Sequence, residues 1–214
     1  MIIGSNGASV LNYLYHLIIG RLLGPSLYGE LASLISVIGP LGIVPGAVSL
    51  VIVKQISSAK SETEVSNLIR WFKAKMFMVS LIFSFFVLIS SPFISSFLHI
   101  SKVIYLMLIA LSLVFALQSG FNRSILQGLL KFREMVISIL VENAMKLLIS
   151  ILFILAGFAV GGAMLAFVLS SALGLYLTNY YLRIKNKDDS QVRSNVNIKP
   201  MLVLTIPILI QSIA

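Results

Sequence analysis

The stretch MVISILVENAMKLLISILF, residues Met135 to Phe153, decides how the rest of the chain is read. It is apolar enough to cross a bilayer, yet it carries Glu142 and Lys146 near its middle. Ser138, Glu142, Lys146 and Ser150 follow one another at intervals of four, and residues at i and i+4 share one helical face. They form a drifting polar stripe on an otherwise apolar rod. A charge near the bilayer centre costs about 2.5–3.5 kcal/mol on insertion scales. The stripe is therefore expected to face a partner helix or a watery cavity.

The surrounding composition supports a membrane setting. Of 214 residues, 58% are hydrophobic and only 11% charged, with a mean hydropathy of +1.03. A soluble domain of this length needs far more charge on its outside. Apolar runs of about 20 residues recur, the length that spans a hydrocarbon core of roughly 30 Å. No alternating pattern of the barrel type is present. The fold class expected is all-α, a polytopic membrane helical bundle. Without cysteine there is no disulfide framework and no thiolate metal site.

Reading outward, helix 1 is predicted over about residues 2–22, then a turn at Gly24-Pro25 within RLLGPSLYGE. Helix 2, about residues 28–53, is interrupted by Gly39, Pro40, Gly42, Pro45 and Gly46. Pro40 and Pro45 mark a hinge, a cavity-lining bend or a passive kink. Ser61-Glu62-Thr63-Glu64 is a capping-box pattern and predicts a short amphipathic surface helix ahead of helix 3, residues 71–90. A turn is expected from Pro92 to Lys102, then helix 4 over residues 103–121. Helix 5 is the opening stretch, AGFAVGG is a tight hairpin, and helix 6 covers residues 162–182. Gly162, Ala166, Ser170 and Gly174 give helix 6 a small-residue stripe that packing alone explains.

The layout is thus about six transmembrane helices plus the start of a seventh. Residues 1–183 are expected to form the six-helix transmembrane part, 184–199 a cytoplasmic linker, and 200–214 the truncated start of a further helix. The net charge of +9 and pI of 9.9 do not imply nucleic acid, because the basic residues lie between apolar runs. Segments after helices 2, 4 and 6 are rich in Lys and Arg, whereas those after helices 1, 3 and 5 hold only Arg21 and Lys102. By the positive-inside rule the N-terminus is cytoplasmic.

Two stretches resemble one family. GRLLGPSLYGELASLISVIGPLG, residues 20–42, resembles the first helical hairpin of polysaccharide-export flippases, with its R-x-L-G-P-x-x-Y-G pattern. NRSILQGLLKFREMVISILVENAMKLLISILFILAGFAVGGAMLAF, residues 122–167, resembles their fourth to sixth helices, where Q-G and a basic-Phe-basic step lead into a charged fifth helix. The superfamily so implied includes O-antigen and other lipid-linked oligosaccharide flippases, peptidoglycan-precursor flippases and multidrug exporters. Its members have two six-helix lobes around a central cavity. The resemblance thus makes residues 1–183 the N-terminal lobe and 200–214 the start of a second, so the C-terminal half of the same protein is an implied partner. The implied substrate is a polyprenyl-pyrophosphate-linked sugar, moved from the cytoplasmic to the outer leaflet of the cell membrane. No cofactor is implied.

A pyrophosphate in a low-dielectric cavity needs Arg forks or Lys point charges, and its sugars need hydroxyl and amide partners. The candidate cavity residues are Lys146, Glu142, Arg123, Arg21, Asn12, His16, Gln118 and Asn122. Each has a plainer reading. Lys146 and Glu142 are in the favoured order for an intrahelical pair. Arg21 suits a snorkelling interfacial role, and Arg123 a topology determinant. Asn12 and His16 suit interhelical hydrogen bonding. Alternatives are a cation-coupled multidrug exporter, with Glu142 titrating, and a membrane enzyme of polysaccharide synthesis. The enzyme reading lacks a paired carboxylate, metal cluster or nucleotide loop in this sequence, so no catalytic residue is assigned.

Overall fold

Two glycines reverse the chain. The computed structural model describes residues 2–183; the expected linker over 184–199 and the apolar run over 200–214 lie outside the described residues. Helix α1 (Ile2–Ser36) changes direction at Gly24, with φ 73° and ψ 172°. That conformation is open to glycine and strained for any residue with a β-carbon. Pro25 follows, its fixed φ suited to the first turn of the returning arm. A straight helix would separate His16 from Tyr28 by about 18 Å. Instead His16 Nδ1 lies 2.9 Å from the Tyr28 hydroxyl, so the two arms of α1 form a hairpin.

The second reversal joins α6 (Phe132–Phe153) to α7 (Ala159–Arg183) through a wide turn, Ile154–Phe158. Gly157 has φ 91°, and Ala159 follows at φ 46°. A β-carbon on Gly162 would lie 2.8 Å from Phe153 Cβ and 3.0 Å from its carbonyl carbon. Glycine there lets α7 fold back closely on α6. Both turns fall where the Gly-Pro and AGFAVGG signals put them.

Between the reversals come α2 (Ile38–Leu41), α3 (Ile43–Ser58), α4 (Glu62–Phe97) and α5 (Ile104–Gly128). The chain breaks at Val37, just before the expected Gly/Pro interruption, and at Gly42, within it. Pro45 is buried in the first turn of α3, where a missing N–H costs little; Pro40 lies exposed in α2.

Helix α4 corrects two expectations. No separate surface helix precedes it; residues 62–97 form one helix of 36 residues. Ser61 caps it, accepting from the Glu64 backbone N–H, while the Glu64 carboxylate accepts from the Lys60 N–H at 2.9 Å. At 1.5 Å per residue it is about 54 Å long, more than a hydrocarbon core of roughly 30 Å. The turn expected from Pro92 starts instead after Phe97. Proline deprives the Leu88 carbonyl of its helical donor. The Ser91 hydroxyl donates to that carbonyl at 2.7 Å, which lets the helix continue.

Helix α5 is central, packing on α3, α4 and α7, and α6 packs on α7 and α1. A β-carbon on Gly128 would meet Ile56 Cβ at 2.7 Å, so α3 and α5 touch almost backbone to side chain. The apolar core has two parts. One gathers Tyr15, Ile19, Leu31, Leu34, Leu106 and Val160 near the Gly24 turn. The other gathers Ile52, Ile56, Phe72, Phe121, Met135 and Leu182 at the opposite, basic end. Large apolar side chains along α4, including Ile82, Phe85, Phe86 and Phe93, are exposed, as a lipid-facing helix requires.

Among the described residues, four helical stretches are long and apolar enough to cross a membrane: Asn6–Leu41, Glu62–Phe97, Ile104–Gly128 and Phe132–Arg183. The first contains the Gly24 reversal and the last the Gly157 reversal.

Candidate functional site

The polar stripe of α6 divides into two halves with different partners. In the half nearer the basic end, Ser138 and Glu142 turn toward α5 and hold Arg123. Arg123 Nε donates to Ser138 Oγ at 3.0 Å, and Nη2 donates to the Ser138 carbonyl oxygen at 3.3 Å. The same Nη2 forms an ion pair with the Glu142 carboxylate. Both side chains are largely buried, at 18% and 19% exposure. Burying one of these charges alone would cost several kcal/mol, whereas a hydrogen-bonded pair offsets most of that.

Helix α7 closes over this pair. A β-carbon on Gly174 would collide with the Glu142 carboxylate and lie 3.3 Å from Arg123 Nη2. The small-residue stripe of α7 is buried, so it packs against a charged pair as well as against apolar neighbours.

The other half of the stripe meets α1. Lys146 Nζ sits 4.8 Å from the centroid of the Tyr15 ring and 5.1 Å from that of Phe167. Ammonium over an aromatic face is attracted by the ring quadrupole, worth about 0.5–2 kcal/mol. Among the described residues Lys146 has no ion-pair partner, since Glu142 is engaged by Arg123. The sequence had allowed an intrahelical Glu142–Lys146 pair. Arg123 wins because its guanidinium reaches both the carboxylate and Ser138, which a point charge one turn away cannot do.

Beside Lys146 lie polar groups that the fold leaves open. Tyr15 and Ser150 are buried at 1% and 0% exposure; their hydroxyls face each other, and neither makes a well-formed hydrogen bond. Burying a hydroxyl without a partner costs about 1–3 kcal/mol. His16, half-buried, packs edge-on against Tyr15 and bonds Tyr28. A half-buried ammonium beside two hydroxyls whose hydrogen bonding is incomplete is an arrangement suited to an anionic oxygen group.

The remaining candidates are elsewhere. Asn122 bridges α5 to α7, its Nδ2 donating to Thr178 Oγ1 and Asn179 Oδ1 at 3.2 Å each. Gln118 reaches α4, donating to the Lys73 carbonyl oxygen at 3.4 Å. Both act as interhelical ties. Asn12 and Arg21 are exposed on α1. Sequence reasoning missed Tyr15 and Phe167, whose aromatic character reads as lipid-facing in so apolar a chain. Ser150 was visible as a member of the stripe but not as an open donor.

An all-helical bundle with several apolar helices of spanning length and an internal polar layer is a multi-pass membrane protein. The chain belongs to the polysaccharide biosynthesis protein family, whose description matches residues 1–214. This agrees with the flippase resemblance of its helical motifs. Neither curated proteins nor solved structures gave a match.

Proposed function

We propose that this chain forms a six-span lobe of a transporter that moves lipid-linked oligosaccharide across the cell membrane for polysaccharide biosynthesis. In this reading it is not an enzyme. The two arms of α1 with α2–α3, and then α4, α5, α6 and α7, supply the six crossings. The basic end faces the cytoplasm and carries the N-terminus, following the positive-inside rule. A second lobe from the C-terminal half completes the cavity, and transport proceeds by alternating access of the two lobes.

The observation that carries the reading is Lys146. Glu142 is neutralised by Arg123, so the stripe has a net positive charge at Lys146, held by two rings rather than a carboxylate. A pyrophosphate headgroup supplies the missing negative charge, and the Tyr15 and Ser150 hydroxyls supply donors to its oxygens. The engaged Glu142 weighs against a cation-coupled drug exporter, which needs an acid free to titrate.

The test is transport of a labelled lipid-linked oligosaccharide by the full-length protein in proteoliposomes. Wild-type protein moves the label, and Lys146→Ala slows it at least tenfold. Equal rates would remove Lys146 from the mechanism. Absence of movement by the wild-type protein would overturn the transport reading itself.

A further inference from the structure

A second cationic site lies at the basic end, between α4, α5 and α7. Lys73 of α4 and Arg183 at the end of α7 line one groove of about 500 Å³, with Phe115 of α5 also in its wall. Asn179, Tyr176 and Tyr180 of α7 line the same groove. Asn179 uses its side-chain oxygen to accept from Asn122, which leaves its amide N–H groups to the groove. Tyr176 and Tyr180 are exposed, at 67% and 53%.

Arg183 in the last turn of α7 complements the helix dipole, and Lys73 alone would pass as a topology charge. Their convergence is not explained by either role. Two like charges from helices far apart in sequence share one groove, and among the described residues neither has a carboxylate partner. Like charges brought together repel unless an anion lies between them. One and two turns along α4 from Lys73, Phe77 and Leu81 are exposed, so an anion held by Lys73 can lay an acyl or prenyl tail along them. Tyrosine rings at such a position have one apolar face and one wet end, as at a membrane interface.

We propose that this groove binds the phosphate headgroup of a membrane lipid. Lys73 and Arg183 take the phosphate oxygens, the Asn179 amide donates to the headgroup, and the tail lies along α4. The site is separate from Lys146 and does not depend on the transport reading. The phosphate has two sources, bulk anionic phospholipid or a polyprenyl diphosphate, and the experiment below separates them.

Within these 214 residues Trp71 is the single tryptophan, two residues from Lys73 on the same helix, and any tryptophan of the C-terminal half is replaced by phenylalanine so that Trp71 alone reports. Its fluorescence is read in full-length protein reconstituted in vesicles containing brominated lipid. Brominated phosphatidylglycerol should quench Trp71 more than brominated phosphatidylcholine at equal mole fraction. Each surface cation contributes roughly a fivefold preference for an anionic lipid, so the K73Q/R183Q variant should lose the share of these two and keep only that of the other cations of α4, such as Arg70 and Lys75. The K73R/R183K variant should keep the full preference. Equal quenching by the two lipids in wild-type protein would overturn the proposal, whatever the variants do. An unchanged preference in a folded K73Q/R183Q protein would overturn it as well. Unlabelled polyprenyl diphosphate that relieves the quenching at a few mole per cent identifies the lipid-linked source. Relief only at bulk concentrations of anionic phospholipid identifies the other.

Discussion

Gly174 and Glu142 face each other across the α6–α7 contact with no space for a β-carbon between them. Glycine at 174 leaves the space that the Glu142 carboxylate occupies in its ion pair with Arg123. Gly174→Ala forces the carboxylate away from the guanidinium or pushes the helices apart. Overpacking of this kind costs about 1–3 kcal/mol. Thermal unfolding of purified protein in detergent should show a lowered midpoint for Gly174→Ala. Glycine-to-alanine at exposed Gly29, where an added β-carbon meets nothing, should leave the midpoint unchanged or higher.

The ion pair itself should behave asymmetrically. Removing one partner leaves the other charged in a buried layer, a loss of about 3–5 kcal/mol. Replacing both with apolar side chains of similar size removes the problem. Arg123→Met and Glu142→Met should each destabilise strongly, and R123M/E142M should be nearer wild type than either. A double-mutant cycle on denaturation free energies gives the coupling. Additive losses would mean that the two residues do not pair.

Gly24 tests the hairpin. At φ 73° and ψ 172°, alanine sits in a region that costs of order 1–3 kcal/mol. Gly24→Ala should therefore destabilise the protein and weaken the His16–Tyr28 hydrogen bond, whose partners meet only because the chain reverses there. Cross-linking of cysteines placed at positions 16 and 28 is the check: efficient in the parent, reduced with Gly24→Ala.

Much of this architecture is legible in the sequence. Runs of apolar residues, Gly-Pro and Gly-Gly signals, and the spacing of basic residues are local features, and local features are what a sequence carries directly. The reversals at Gly24 and Gly157 and the break at Gly42 all fall at such signals. Pro92 misled because the rule for proline concerns the hydrogen bond it removes. Ser91 restores a donor to Leu88, and that compensation depends on a rotamer, not a motif.

The candidate site was legible only in half. The i, i+4 rule placed Ser138, Glu142, Lys146 and Ser150 on one face, and the structure keeps them there. It could not say which helix each would meet. Glu142 takes Arg123, nineteen residues away, over Lys146 on the next turn. That choice depends on how α5 and α6 are rotated against each other, which is a property of packing across the whole bundle. Tyr15 and Phe167 entered for the same reason: α1 and α7 bring them to Lys146 from opposite ends of the sequence.

A smaller tie tests the end of the bundle opposite the basic one. The Glu30 carboxylate accepts from the backbone N–H and the hydroxyl of Ser101 at 2.7 and 2.6 Å. This pins the returning arm of α1 to the connection between α4 and α5. The contact is exposed, so its worth is at most about 1 kcal/mol. Glu30→Gln should leave the unfolding midpoint nearly unchanged but speed hydrogen exchange at the Ser101 amide severalfold.

The central claim is that Lys146 is a cation left open for a phosphate while Arg123 occupies Glu142. Binding of a polyprenyl-diphosphate-linked sugar to the purified full-length protein tests it most directly, by titrating wild type, Lys146→Gln and Lys146→Arg. A charge-assisted contact of this kind is worth about 1.5–3 kcal/mol. Lys146→Gln should weaken binding by roughly ten- to a hundredfold on that scale, and Lys146→Arg should bind close to wild type. Equal affinity of wild type and a folded Lys146→Gln protein would contradict the account.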